Sequence, residues 1–250
     1  MTPPTAMRNL NSVDAVRRWP ALAIRILVLI VVVCISWANC LAQTTRPAIV
    51  SAAEWGSQPL PIPDSRKHTP RFITIHHAGE VWKGTRQPVD FVRAMQKWGQ
   101  RDKNWPDLPY HFLIAPDGTI FEGRSLIYEP ESNTKYPLAG NIGVEMMGNF
   151  EVQRPSPQQL QSCARLVAWL VQELAIDPAN IRGHNDAAPG QTSCPGKDFY
   201  RYLKSGQFVG WVRELSSGRD VVIEPGPPLE GGPTEPIPTT VLAPTTMPSN

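Results

Sequence analysis

The chain predicts an α/β fold, a single domain with a central mixed β-sheet flanked by helices. Two apolar runs, Arg71 to His77 (RFITIHH) and Asn141 to Met147 (NIGVEMM), read as buried strands. Two longer segments carry apolar residues at three-to-four spacing, the period of a helix packed on one face. Asp117-Gly118 between apolar runs is a hairpin signal. The resulting order β, α, ββ, β, α, β, α gives a mixed sheet covered by helices, with no internal repeat.

Each element has a local reason. Arg71 to His77 is rich in β-branched residues and is broken by Ala78-Gly79, so the strand delivers a histidine at its carboxyl end. Pro88 suits the first turn of a helix reaching about Gln100, with Phe91, Val92, Met95 and Trp98 as its stripe. Tyr110 to Ala115 and Thr119 to Glu122 are the hairpin strands. After a loop rich in Pro, Ser, Asn and Gly comes the strand Asn141 to Met147. Ser156 caps the next helix, Pro157 to Leu174, in which Leu160, Cys163, Ala164, Val167, Val171 and Leu174 share one face. Asp177-Pro178 ends it, and Ile181-Arg182 leads as a short strand into His184.

The ends differ from the middle. Residues 1–42 read as a signal peptide: Arg8, Arg17, Arg18 and Arg25 precede an apolar run from Ile26 to Trp37, and Cys40-Leu41-Ala42 supplies small residues for cleavage after Ala42. That run is shorter than the roughly 20 residues a spanning helix needs, and a retained N-terminal anchor is the alternative. The chain is therefore expected to be exported, to the periplasm or the outside of a bacterial cell, and to meet a membrane only through that segment if it is uncleaved. Without residues 1–42, which hold four arginines and one aspartate, the 24 basic and 22 acidic side chains become 20 and 21. So balanced a charge excludes nucleic acid as the expected partner. Residues 217–250 form a Pro/Thr-rich tail, with eight prolines from Val221 onward, and are expected to be disordered. The folded domain then spans residues 45–216, enough for one core and read as a monomer.

The chemistry concentrates in GHNDAAPGQTSCPG, where His184 stands ten residues before Cys194, and in the pair His76-His77 about a hundred residues upstream. Two histidines and a cysteine make three zinc ligands and leave a fourth position for water, the composition of a hydrolytic rather than a structural site. Adjacent strand residues point to opposite faces, so one histidine of the pair binds and the other has a structural role or a supporting one behind the ligands. A Cys163–Cys194 disulfide is the competing use of the cysteines in an exported chain, but Cys163 falls on the apolar face of its helix. Glu145 is an acid inside an apolar run, either ion-paired with an Arg or Lys or placed as a general base. Tyr110 and Thr192 offer hydroxyls to a developing oxyanion. His111 and His68 are given no chemical role.

Together these segments resemble a known family, the zinc-dependent N-acetylmuramoyl-L-alanine amidases of type 2, which share their domain with the peptidoglycan recognition proteins and a phage amidase lysozyme. The resemblance covers Ile49 to Gly56 (IVSAAEWG), which looks like the family's opening strand, and ITIHHAG from Ile73. It continues through WPDLPYHF from Trp105, DGTIFEGR from Asp117, NIGVEMMGNF from Asn141, and GHNDAAPGQTSCPG. It implies one Zn²⁺ per chain held by His76, His184 and Cys194, with Tyr110 and Thr192 acting on the reacting carbonyl and Glu145 as base. It implies hydrolysis of the amide between the lactyl group of muramic acid and L-alanine, with peptidoglycan or a muropeptide as the partner. A non-catalytic peptidoglycan-binding module and an amidase of anhydro-muropeptide fragments are the alternatives; relatives that only bind usually lack the cysteine. The segment from His184 to Cys194 is two residues longer than in the animal proteins, around Pro189-Gly190, and is similar to exported bacterial members. Asn104 and Pro109 stand where the animal proteins usually carry glycine.

Overall fold

The computed structural model describes residues 44–241, so the signal-peptide reading of residues 1–42 lies outside the described residues. Six strands form one sheet: β1 (Ile49–Val50), β2 (Phe72–His77), β3 (Phe112–Ile114), β4 (Ile120–Glu122), β5 (Asn141–Met146) and β6 (Ile181–Gly183). Their order across the sheet is β1-β4-β3-β5-β2-β6. The β3–β4 hairpin is antiparallel and every other pairing is parallel, so the sheet is mixed, as the Asp117-Gly118 turn and the strand–helix alternation predict. Among the described residues no helix is long and apolar enough to cross a membrane.

Among the described residues six α-helices accompany the sheet: α1 (Ala52–Trp55), α2 (Pro88–Lys103), α3 (Pro157–Glu173), α4 (His184–Ala187), α5 (Lys197–Lys204) and α6 (Gln207–Ser216). The apolar face of α3 is buried along Leu160, Cys163, Ala164, Val167 and Val171, against β3, β5 and α6. Ser156 accepts the Gln159 N–H and caps this helix. Gln159 then spends its side-chain amide on the carbonyls of Ile114 (3.1 Å) and Met147 (2.8 Å), tying the helix start to the ends of β3 and β5. Cys163 and Cys194 are both free, so the competing disulfide is not formed.

One sequence expectation is corrected. Of the segment Ile49 to Gly56, only Ile49–Val50 is strand; Ser51 and Glu54 then close a capping box, which starts the four-residue helix α1 before a left-handed Gly56 ends it. The described part of the tail, up to residue 241, lies against the domain. Ile223 and Ile237 are buried, and Arg154 exchanges backbone hydrogen bonds with Glu235 (2.8 Å) and Ile237 (2.9 Å). Composition hid this, because the anchoring comes from two isoleucines and from carbonyls that bind distant arginines, not from a periodic pattern. Gly226 accepts from Arg154 and Pro227 from Arg201, while the Gly226 N–H donates to the Tyr202 hydroxyl at 3.0 Å.

The register places chemistry at one end of the sheet. His76 pairs with Glu145 across β2 and β5, so their side chains share a face. Ile75 pairs with Gly183 across β2 and β6, so His184 emerges from the strand end beside His76. Carboxyl ends of neighbouring parallel strands are where open α/β sheets form their crevices.

Candidate metal centre

Three of the residues singled out in the sequence converge. Ligand atoms of His76, His184 and Cys194 lie within 4.8 Å of one another, and all three residues are buried. The Cys194 Sγ stands 3.7 Å from His76 Nδ1, and the two imidazole centroids are 4.4 Å apart. The ten-residue spacing closes because α4 turns the chain back on itself: the Asn185 N–H donates to the Cys194 carbonyl at 2.7 Å. Asp186 fixes the entry to that turn by accepting the Gly183 N–H (2.8 Å) and the Tyr200 hydroxyl (2.6 Å).

The other histidines are structural, each for a visible reason. His77 points away from the cluster and its Nδ1 accepts the Phe150 N–H at 3.1 Å, while its own backbone N–H donates to Cys194 Sγ at 3.3 Å. His111 bonds the Tyr128 carbonyl through Nε2 (2.9 Å) and accepts the Gly143 N–H at Nδ1 (3.0 Å). His68 makes the same kind of bridge, between the Leu126 carbonyl and the Gly140 N–H.

Glu145 is fully buried, and neither carboxyl oxygen has a hydrogen-bond partner among the described residues. The ion pair with an Arg or Lys is thus absent, and burial holds its pKa well above the ordinary carboxylate value. It does not line the groove described next. Tyr110 does, with its ring 4.9 Å from His76 and its phenol pushed upward by burial. Thr192 also lines it, though its Oγ1 accepts the Cys194 N–H at 3.0 Å and so serves the loop as well.

The groove over the cluster has a volume of about 440 Å³. Trp98 and Trp105, edge to face at 5.5 Å, are in its wall. Asn104 adopts the left-handed conformation that ends α2, which asparagine tolerates better than most residues. On another side stand Ser132, Thr134 and Gln191, none of which sequence reasoning singled out. Their signal is weak, since Ser132 and Thr134 come from a polar loop some fifty residues from His184, and only folding brings them together.

Burial depresses the basicity of all three cluster-region histidines, with His77 and His184 each lowered to about 4 and His76 well below its usual value. Imidazoles kept neutral and a thiol gathered around one point can hold a metal ion. The same burial pushes the Cys194 thiol up to about 12, which a cation beside the sulfur would reverse.

Comparison with known proteins agrees with this arrangement. The family model for N-acetylmuramoyl-L-alanine amidase matches residues 66–197. The chain is 28% identical over 167 residues to peptidoglycan-recognition protein LB of Drosophila melanogaster, covering 63% of this chain and 68% of that protein. It is 29% identical over 179 residues to peptidoglycan-recognition protein SA of the same species, covering 70% and 82%. The wild-type Drosophila LB structure superposes with a TM-score of 0.56 at 26% identity, over 63% of this chain and 93% of that one. The fold is also shared with the amidase LysC from Clostridium intestinale, at a TM-score of 0.54 and 24% identity over 66% and 98% of the two chains. With more than half its length matched by the family model, and strands β2 to β6 and the cluster within that span, this chain belongs to the N-acetylmuramoyl-L-alanine amidase family.

Proposed function

We propose that this protein is a zinc-dependent N-acetylmuramoyl-L-alanine amidase that cleaves peptidoglycan stem peptides from muramic acid outside the cytoplasm. The observation that carries the reading is the buried His76, His184 and Cys194 cluster at the floor of an open groove. His76 Nδ1 and Cys194 Sγ, 3.7 Å apart, are close enough for one ion to be held by both, and imidazole and thiolate donors suit zinc. The unpartnered carboxyl of Glu145 on the same sheet face also fits a centre that supplies what the protein does not.

Zinc held by these three side chains would supply Lewis acidity toward the scissile carbonyl and a water acidified to near neutrality. In this mechanism Glu145 takes the proton of the attacking water on its carboxylate and returns it to the departing alanine nitrogen. Tyr110 donates its hydroxyl to the oxygen that gains charge, and burial keeps that phenol protonated for the purpose. The hydroxyl proton of Thr192 remains available for the same oxygen, because its oxygen, not its proton, is used by Cys194. Trp98 and Trp105 offer apolar surface to the substrate and narrow the access of bulk water.

The relatives named for peptidoglycan recognition support a second reading, in which the groove binds wall fragments without cutting them. One experiment separates the two. Purified protein incubated with sacculi is expected to release stem peptides, to stop on chelation, and to resume when zinc is returned. Cys194→Ser should keep sacculus binding and lose release. Binding without release by the wild type supports the recognition reading, and release that survives thorough metal removal overturns the zinc mechanism. Turnover on isolated anhydro-muropeptides, compared with sacculi, sets the substrate size.

A further inference from the structure

We infer that Thr134, backed by Ser132, is a positioning residue that anchors the outer nitrogen of His184 and so holds the ring for metal binding; the inference rests on the zinc reading above. Thr134 Oγ1 lies 2.6 Å from His184 Nε2, the closest polar contact of that ring. Ser132 Oγ stands 3.4 Å from the same nitrogen and 2.9 Å from Thr134 Oγ1, and it also accepts the Thr134 backbone N–H at 3.1 Å. Among the described residues His184 Nδ1 has no hydrogen bond, nor does His76 have a hydroxyl partner of this kind.

The chemistry follows from counting protons. A neutral imidazole carries one proton and one lone pair. If Nε2 holds the proton, it donates to Thr134 Oγ1, the threonine proton passes on to Ser132 Oγ, and Nδ1 keeps its lone pair for a cation. If Nδ1 holds the proton, Thr134 donates to Nε2 and the cluster loses a ligand. Occupancy of Nδ1 by a cation admits only the first arrangement, in which the hydroxyl pair takes the Nε2 proton and holds the ring in place. Partners on the outer nitrogen of a ligating histidine typically change metal affinity by about 10- to 100-fold.

The hydroxyls do this only if their loop is held still, and it is held on both sides. Lys135 donates its N–H to Gln191 Oε1 (2.8 Å), and Gln191 Nε2 returns a bond to the Lys135 carbonyl (3.0 Å). Gln191 follows the Pro189-Gly190 turn, so the segment between His184 and Cys194 carries the clamp on the opposing loop. On the other side, Glu131 is bound by Arg66 and by the buried Arg124, the latter at 3.2 Å. Arg124 in turn donates to the carbonyls of Leu108 (2.9 Å) and Glu129 (2.8 Å).

The test is a zinc titration of the full chain against a competing chromogenic chelator, with wild type, Thr134→Val and Thr134→Ser. Thr134→Val keeps the shape and removes the hydroxyl, and it is expected to weaken zinc binding about 10- to 100-fold. Thr134→Ser is expected to return affinity to within a few-fold of wild type. A second readout needs no variant: nitrogen-15 NMR of the zinc-loaded wild type should show a slowly exchanging proton on His184 Nε2. Equal zinc affinity in a folded Thr134→Val protein, or a proton-free Nε2 in the wild type, overturns the inference while leaving the amidase reading intact. A wild-type chain that takes up no zinc overturns both.

Discussion

Glu145 combines three properties that rarely coexist in a stabilising residue: complete burial, no hydrogen-bond partner among the described residues, and a strand position facing His76. A carboxyl so placed costs stability unless something else uses it. Glu145→Gln is therefore expected to lower stem-peptide release by about 10²- to 10⁴-fold, the usual contribution of a general base. Zinc uptake should be unchanged and the melting temperature unchanged or higher. An active Glu145→Gln enzyme would remove the base from the mechanism, which release assays and thermal melts on the same sample decide. Glu145 was legible because an acid interrupts an apolar run, and His184 and Cys194 because ligand-type residues share one loop. Thr134 and Ser132 were not, since a hydroxyl in a polar loop carries no mark until the fold sets it against His184. His76, not His77, is the one grouped with His184 and Cys194, while the Phe150 N–H occupies His77 Nδ1.

At the scale of elements, the strand ends are joined by histidine bridges whose cost appears only in acid. His111 accepts the Gly143 N–H and bonds the Tyr128 carbonyl, so both ring nitrogens are engaged by a neutral imidazole. A second proton at Nδ1 would break the first bond and place a charge in a buried site beside His68 and the Arg124 guanidinium. Burial, first, and those neighbours lower its pKa to about 3. The unfolded chain takes up that proton near 6.5 and the folded chain does not, so the folded state loses stability as pH falls from 6.5 toward 3 and is unaffected above 6.5. The slope from this one residue is at most about 1.4 kcal/mol per pH unit. Denaturant titrations of the metal-free protein between pH 7 and 4 should show a shallower fall for His111→Gln than for wild type, and identical slopes would refute the bridge. Periodicity made β2, β5 and α3 readable, because each buries a continuous face; in α2 it found the helix but not its face, since Phe91 and Val92 are buried with Gln96 and Gly99 while Trp98 is exposed. It failed for α1, where four residues and a capping box leave too short a stretch for any period to show.

Across the whole molecule, the described C-terminal segment acts as a strap over the side of the domain next to the groove. Its hold depends on two glycines. Gly148 has φ +122, and a Cβ there would stand 2.5 Å from Ile237 Cδ1; Gly84 has φ +67, and a Cβ would meet the Thr240 carbonyl at 2.8 Å. The strap thus lies directly on the loop that follows β2, whose Gly79 lines the groove, and on Gly148, whose carbonyl accepts the Gly79 N–H at 3.1 Å. Full burial of a side chain such as Ile223 or Ile237 is worth roughly 1.5–3 kcal/mol, offset in part by the entropy of ordering a proline-rich chain already restricted when unfolded. A chain ending at residue 218 should melt on the order of 5–10 °C below one ending at residue 241, the shift that about 2–3 kcal/mol produces in a domain of this size. It should also be cut faster by protease between Glu80 and Arg86, because that loop loses its cover. The chain ending at 241 should match the full chain in both respects. Equal melting points for the two truncations would make the strap incidental. A difference would move the functional boundary of the domain from residue 216 to beyond Ile237, past the point where composition alone places it.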